Sequence, residues 1–324
     1  MNISVFDAHC DTGSVALREG KDLCKNDLHI DFTRAAAFGR YAQVFAVYVR
    51  REFGSFEDMD YAKDQASSVL VPKADALLSF ILSEIRRNAE LVSLCRTPAE
   101  IRAANESGKI AALLSVEGAE LLGCDIGTLR YAHERGVRIV NLCWNYDNAL
   151  CGAANGVSGS GLTQKGREFV KTMQELGMAV DLSHASERTF WDVCEIAEKP
   201  PFASHSDAKT LCDNPRNLTD AQFLQLIRMG GAAGLNLYPL FLDENGDADI
   251  ETLVRHAEHF LSLGGEKTLC LGGDWDGVDY LPHGLTGIES CGEIYEAMLR
   301  RNWKEDLVRD IFYNNLFAYL EKVL

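Results

Sequence analysis

Short apolar runs alternate with longer amphipathic stretches along the whole chain. The apolar runs fall at residues 3–6, 41–49, 109–116, 137–143, 178–182, 201–204, 231–237 and 268–272. Most are continuous rather than alternating, which is the pattern of parallel strands covered on both faces. Residues 60–91, 128–135, 163–176, 187–197, 219–229 and 249–263 space their apolar positions as amphipathic helices do. Thr163, Ser186 and Thr219 stand where N-caps belong, and Gly136, Gly177, Gly230 and Gly264 stand where helices end. Eight strands alternating with helices predict an α/β fold, the (β/α)8 TIM barrel. An open doubly wound sheet is the competing arrangement, but no GxGxxG follows the first run. Residues 13–40 read as an irregular excursion at the catalytic face. Residues 289–324 read as two further helices, the second starting after Asn302. No linker, repeat or low-complexity stretch interrupts residues 1–324, so the chain reads as a single catalytic barrel with C-terminal helices.

In such barrels chemistry belongs to the C-terminal ends of the strands. Residues 177–207 show this most clearly: a strand ending in His184, a crossover helix, and a strand ending in His205. Strands of one βαβ unit lie side by side, so the two imidazoles converge. Such a pair suits a borderline-soft ion such as zinc. The first strand runs into Asp7-Ala8-His9-Cys10-Asp11. His9 and Asp11 are two residues apart and share a face in extended chain, while Cys10 turns away from any metal. The third strand ends in Glu117 and the eighth in GGDWDG, which carries Asp274 and Asp276.

His9, Asp11, Glu117, His184 and His205 place three imidazoles and two carboxylates on one rim. A cluster so rich in ionisable groups is costly unless a cation compensates it. Five ligands exceed what one tetrahedral ion needs and match two Zn2+ sharing the carboxylate of Glu117. A water or hydroxide between the ions would be the nucleophile of a hydrolysis. Taken singly, each residue has a plainer reading, such as a histidine closing a strand or a turn carboxylate. Their joint placement at positions the barrel already specifies argues for a metal centre. The other five histidines, His29, His133, His256, His259 and His283, fall in helices or loops and read as structural or solvated. Arg216, in DNPRNLTD, is either a surface arginine or a fork for a substrate carboxylate. Asp274 or Asp276 is placed to receive an ammonium or to move a proton in amide cleavage, and the sequence does not separate them.

Composition narrows the partners. The 324 residues carry 48 acidic against 32 basic side chains, a formal net charge of -16. No basic excess exists to neutralise phosphates, which excludes a nucleic-acid or anionic-membrane partner. The 10 cysteines contain no CxxC, consistent with reduced thiols. No leader pattern opens the sequence and no apolar run reaches the ~18 residues of a membrane span. A cytoplasmic protein is expected, and a homodimer is a fair expectation for such barrels.

The segments FDAHCD (6–11), SVEG (115–118), DLSHAS (181–186), FASHSDAKTLCDNPRNLTD (202–220), LGGDWDG (271–277) and RRNWKEDLVRDIFYNNLFAYL (300–320) go further as a set. Together they resemble the membrane (renal) dipeptidase family, peptidase family M19, from residue 5 to the end. The resemblance implies a metal-dependent, amidohydrolase-like barrel with a two-zinc site that hydrolyses dipeptides, L,D-dipeptides among them. It implies His9 and Asp11 on one zinc, His184 and His205 on the other, and Glu117 bridging. It also implies Arg216 at the substrate's carboxylate and Asp274 near its amine and the departing nitrogen. The chain departs from the animal enzymes after the fourth strand. Where they carry a histidine that supports the scissile carbonyl, NLCWNYDN places Trp144, with Asn145 beside it as an alternative support. The secretion and lipid-anchor signals of those enzymes are not seen here. Two alternatives stand beside this reading: another two-metal amide or ester hydrolase, such as a lactamase or lactonase, and a non-catalytic relative.

Overall fold

The computed structural model describes residues 2–49 and 70–324. Its strands are β1 (Ser4–Cys10), β2 (Arg40–Val47), β3 (Val92–Leu94), β4 (Ile110–Glu117), β5 (Val137–Asn141), β6 (Ala179–Asp181), β7 (Ala233–Leu235) and β8 (Leu269–Leu271). The helices are α1 (Thr12–Glu19), α2 (Phe32–Ala35), α3 (Pro72–Arg87), α4 (Pro98–Glu106), α5 (Ile126–Glu134), α6 (Gln164–Glu175) and α7 (Glu187–Ile196). They continue with α8 (Asp220–Met229), α9 (Pro239–Leu242), α10 (Ile250–Ser262), α11 (Cys291–Arg300), α12 (Glu305–Arg309) and α13 (Asn315–Val323).

The strands pair in parallel in the order β6-β5-β4-β2-β1-β8-β7. β3 pairs with the first half of β4, ahead of β5 on the same edge. The sheet curls and closes through the sixth predicted strand, which is reduced to two bridged residues. Phe202 bridges Asp181, and Ala203 bridges Ala233. The Leu182 N–H donates to the Phe202 carbonyl at 2.7 Å and the Ala203 N–H to the Ala232 carbonyl at 3.0 Å. This seam is tight. A Cβ at Gly234 would lie 2.0 Å from the Ser204 carbonyl oxygen, and one at Gly272 only 1.7 Å from it. Only glycine lets β7 and β8 approach so closely.

The barrel interior is apolar below and polar above. One buried cluster takes alternate positions from the strands, including Phe6, Val44, Leu113, Ile139 and Phe202. Tyr313, Leu316, Tyr319 and Leu320 join it from the π-turn Asp310–Asn314 and α13, forming a floor. Phe6 meets Tyr313 at 5.6 Å and Phe202 meets Tyr319 at 4.9 Å between ring centroids. The same inward rows then switch to Ser115 and Glu117 on β4, Asn141 on β5 and Asp181 on β6, all buried. A second cluster, with Phe45, Leu114, Val140, Phe169 and Phe260, packs the helices on the outer faces. Each fully buried side chain of this size contributes ~1.5–3 kcal/mol over an exposed one.

The helix ends follow their sequence signals. Thr163, Ser186 and Thr219 accept N–H bonds from Gly166, Thr189 and Gln222, at 3.0, 3.0 and 3.2 Å. Residues 13–40 are less irregular than expected, because α1 occupies their start. Gly13 there is a packing residue: its Cβ would fall 2.7 Å from Ile81 Cδ1 of α3. β3 and α4 were not anticipated. Their apolar content is too short to show a period. Of the helix expected over 60–91, residues 60–69 lie outside the described residues and 72–87 form α3.

Candidate metal centre

β1 delivers the first donors through an irregularity. Its register against β2 shifts between Asp7 and Cys10. Phe6 and Ala8 belong to the interior cluster, so strict alternation would turn His9 outward, and the shift returns it to the mouth. Asp7 pins the shifted backbone. Its carboxylate accepts the His9 N–H at 3.0 Å, the Gln43 amide at 3.0 Å, the Gly273 N–H at 2.8 Å and the Trp275 indole N–H at 3.2 Å. The motif displayed Asp7 without suggesting this role.

Glu117 ends β4 at the centre of the group, 3% exposed. Its Oε1 lies 2.7 Å from His184 Nε2 and 3.7 Å from His205 Nε2. Its Oε2 lies 3.5 Å from His9 Nε2. His9 Nε2 is in turn 3.9 Å from Asp11 Oδ1 and 3.9 Å from Asp274 Oδ1. The carboxylate thus faces one lobe made by His184 and His205 and another made by His9 and Asp11. These separations approach the ~3.4 Å between ligand atoms around one tetrahedral zinc. All five expected ligands therefore meet at one place. Cys10 does not join them.

The donor atoms themselves test the fit to a metal. His9 Nδ1 and Nε2, Asp11 Oδ1 and Glu117 Oε2 are buried without a hydrogen-bond partner among the described residues. The Nε2 atoms of His184 and His205 face each other at 2.9 Å. Their other ring nitrogens are held: His184 Nδ1 by Asn145 Oδ1 at 2.8 Å and His205 Nδ1 by Ser204 Oγ at 2.7 Å. An imidazole held at Nδ1 presents the Nε2 lone pair, the usual arrangement for a zinc ligand. The residues fit a borderline divalent metal with nitrogen and oxygen donors.

Electrostatics points the same way. Burial disfavours charge on His9, yet Glu117, Asp11 and Asp274 outweigh it and lift its pKa to about 10. Burial, reinforced by Arg216, depresses His184 to about 3 and carries His205 well below its ordinary value. Burial opposes charge on Glu117, but His9 and His184 hold its pKa below the usual carboxylate range. Burial and Glu117 together push Asp11 well up. The protein alone gathers one cationic imidazole among competing carboxylates, which is the place a divalent ion would take.

Backbone strain marks the rim. His184, Asp274 and Asp276 have positive φ values of 74°, 54° and 63°. Such conformations cost non-glycine residues ~1–2 kcal/mol each and persist where surrounding structure holds them. The structure separates the two aspartates that sequence left open. Asp276 is consumed by structure: it accepts the Thr12 hydroxyl at 2.5 Å and the His29 N–H at 2.9 Å. Asp274 turns its Oδ1 to the His9 lobe. Gly277 makes room for this, because a Cβ there would lie 2.1 Å from Asp274 Oδ1 and 2.8 Å from Asp11 Oδ2.

Arg216 is not a surface arginine. It is 4% exposed, its Nε and Nη2 have no partner among the described residues, and its guanidinium lies 5.4 Å from the Phe241 ring centre. Asp274 and Glu117 are the carboxylates that act on it most strongly. On the other side, Trp144 packs 5.2 Å from Tyr48, 5.5 Å from Tyr146 and 6.2 Å from His184, ring to ring. Asn145 turns its oxygen to His184 Nδ1 at 2.8 Å, and the same oxygen accepts the Asn155 amide at 3.3 Å.

Known proteins bear on this geometry. Residues 1–323 match the family described as Membrane dipeptidase (Peptidase family M19). A protein of Klebsiella pneumoniae, named only as an uncharacterized protein in the pqqA 5' region, is 30% identical over 76% of this chain and 94% of its own length. An uncharacterized dipeptidase of Schizosaccharomyces pombe is 32% identical over 64% of this chain and 52% of its own length. Among solved structures, a metallopeptidase from Rhodobacter sphaeroides, liganded with a phosphinate mimic of the dipeptide L-Ala-D-Ala, superposes with a TM-score of 0.87. It is 27% identical, with all of both chains covered. A second solved metallopeptidase of family M19, described as a dipeptidase, superposes with a TM-score of 0.85 at 27% identity over 100% and 99% of the two chains. No helix among the described residues is long and apolar enough to cross a membrane. With its barrel and its cluster of metal-ligand residues, the chain belongs to the membrane dipeptidase family, peptidase family M19, and is a metallo-dipeptidase-type hydrolase of peptide bonds.

Proposed function

We propose that the protein is a zinc-dependent dipeptidase that cleaves free dipeptides, L,D-dipeptides among them, in the cytoplasm. The observation that carries this reading is Arg216, a buried guanidinium with unmet donors beside the metal-ligand cluster. A buried fork of this kind is matched by a carboxylate, which it binds through two charge-assisted bonds. The ten cysteines, none in a disulfide, agree with a reducing compartment. The dipeptide mimic held by the Rhodobacter sphaeroides relative supports the substrate class.

His9, Asp11 and Glu117 Oε2 would hold one ion, and His184, His205 and Glu117 Oε1 the other. When bound, a pair of zinc ions supplies the Lewis acidity that makes water a nucleophile near neutral pH. Arg216 fixes the substrate's terminal carboxylate. Asp274, whose Oδ1 approaches His9 Nε2 at 3.9 Å, receives the free amine. With both ends read, a substrate of two residues fits and a longer chain does not. As water adds to the peptide carbonyl, Asp274 takes its proton and delivers it to the departing nitrogen, releasing a free acid and a free amine. Asn145 Nδ2 would donate to the carbonyl oxygen as it gains charge.

The test is hydrolysis of L,L- and L,D-dipeptides by protein stripped with a chelator and then reloaded with zinc. C-amidated and N-acetylated analogues form the comparison set. Zinc-restored cleavage of the free dipeptides, reduced at least tenfold by either block, is expected. A zinc-loaded protein that cleaves no dipeptide, or cleaves the blocked forms equally well, would overturn the reading.

A further inference from the structure

Asn236 stands at the end of β7, in GLNLYP, and is fully buried. Its backbone N–H and both ends of its side-chain amide are engaged. Its N–H donates to Asp207 Oδ1 at 3.2 Å. Its side-chain oxygen accepts the Tyr238 N–H at 2.7 Å. A backbone N–H can only donate, so that contact fixes which end of the amide is oxygen. The Nδ2 group must then face the other way, where it meets Asp274 Oδ2 at 3.2 Å and, at a longer 3.5 Å, the carbonyl of His205.

We propose that Asn236 is a positioning residue, one that holds the carboxylate of Asp274 in the orientation the reaction uses. Asp274 needs such a holder. It sits on a backbone of positive φ in a loop of glycines, and among the described residues its Oδ1 has only the 3.9 Å approach to His9 Nε2 to orient it. Donation from Asn236 occupies Oδ2 and leaves Oδ1 directed at the space between His9 and Asp11. The missing Cβ of Gly277 keeps that same space open. The contact to the His205 carbonyl also ties the Asp274 loop to the strand end that carries His205. A one-oxygen anchor of this type fixes a carboxylate's rotation without neutralising it. The inference rests on the reading of Asp274 as the group that meets the substrate amine and the leaving nitrogen.

The test uses Asn236→Asp, which keeps the shape and removes the donor, and Asn236→Ser, which guards against a folding failure of the charged variant. Each is made alone and combined with Asp274→Asn, and zinc content and thermal midpoint are measured beside kinetics on a free dipeptide. The single variants should bind zinc as the parent does and lose about tenfold or more in kcat/KM. Their preference for a free over an amidated C-terminus, set at the Arg216 end, should stay at the parent's value. On the Asp274→Asn background the same substitutions should cost less than about threefold, because both residues act through one carboxylate. Losses that multiply undiminished on that background, or single variants with parent-like rates, would overturn the role of Asn236 while leaving the dipeptidase intact. A zinc-loaded parent that cleaves no dipeptide would instead overturn the underlying reading and this inference with it.

Discussion

Replacing Arg216 by methionine should move stability and activity in opposite directions. Arg216 keeps Nε and Nη2 buried without acceptors among the described residues. An unmet buried donor costs ~1–3 kcal/mol, so two of them destabilise the resting enzyme by roughly 2–6 kcal/mol. Methionine is unbranched and fills most of the same volume, leaving a void that costs about 1–2 kcal/mol. The net gain is on the order of 2–3 kcal/mol, or about 3–5 °C in the thermal midpoint for a chain of this size. The substrate loses two charge-assisted bonds worth about 1.5–3 kcal/mol each, of which roughly 3–4 kcal/mol is expressed as activity. That corresponds to a loss in kcat/KM of about 10²- to 10³-fold. The assay pairs calorimetry of the loaded proteins with kinetics on one dipeptide and its C-terminal amide. The variant should cleave both at the same low rate. A variant within threefold of the parent on the free dipeptide, or one that melts several degrees lower, would refute the reasoning.

Three further outcomes are expected. Gly277→Ala inserts a Cβ 2.1 Å from Asp274 Oδ1 and 2.8 Å from Asp11 Oδ2, so zinc affinity should fall at least tenfold in a chelator competition; unchanged affinity would show that the two carboxylates can part freely. Asn145→Ala removes the acceptor on His184 Nδ1 and should weaken zinc binding by about 10- to 100-fold, whereas a loss of turnover at full zinc affinity would assign Asn145 to substrate alone. Buried His256 accepts the Ala208 N–H at Nδ1 and donates from Nε2 to the Leu242 carbonyl, and burial pushes its pKa down to about 4. Its folded pKa lies below the unfolded value of ~6.5, so its contribution is complete above ~6.5 and is lost as pH falls from there to about 4, some 3 kcal/mol in all. Urea midpoints of parent and His256→Gln across that range should converge at the acid end, and parallel curves would count against the assignment.

The gathering of His9, Asp11, Glu117, His184 and His205 was legible because the barrel turns sequence position into spatial position. His184 and His205 interrupt apolar runs at strand ends, and nothing in a buried strand end favours histidine unless something there binds it. The closure of the barrel was legible for the same reason, although the strand before His205 survives as only two bridged residues. Other features depended on backbone detail that residue types do not carry. The register shift at Asp7 overrides the strict alternation that a two-residue spacing assumes. Asp274 and Asp276 look equivalent in GGDWDG and diverge only because Thr12 and His29 engage one of them. Arg216 is a common residue in a loop, and its burial comes from Phe241 and the strand ends that close over it. Asn236 was missed although it also closes a strand, because a neutral amide carries no chemistry of its own. Its signal was available in its place at the end of an apolar run, shared with Glu117, His184 and His205.

The floor of the barrel sets a timetable for folding. Phe6 packs on Tyr313, Phe202 on Tyr319, and Asn315 Nδ2 donates to the Leu269 carbonyl at 2.8 Å. Residues near the start of the chain thus complete their packing only against residues made some 300 positions later. A ribosome working at ~5–20 residues per second takes about 15–60 s to cover that distance. Throughout that interval the inward apolar rows of every strand already made lack their cover, and until residue 271 is made the sheet also lacks β7 and β8. Nascent chains of this protein should therefore engage general chaperones until residues 310–323 have emerged, and in a cell-free system slowing translation before that point should lower the soluble yield more than slowing it after.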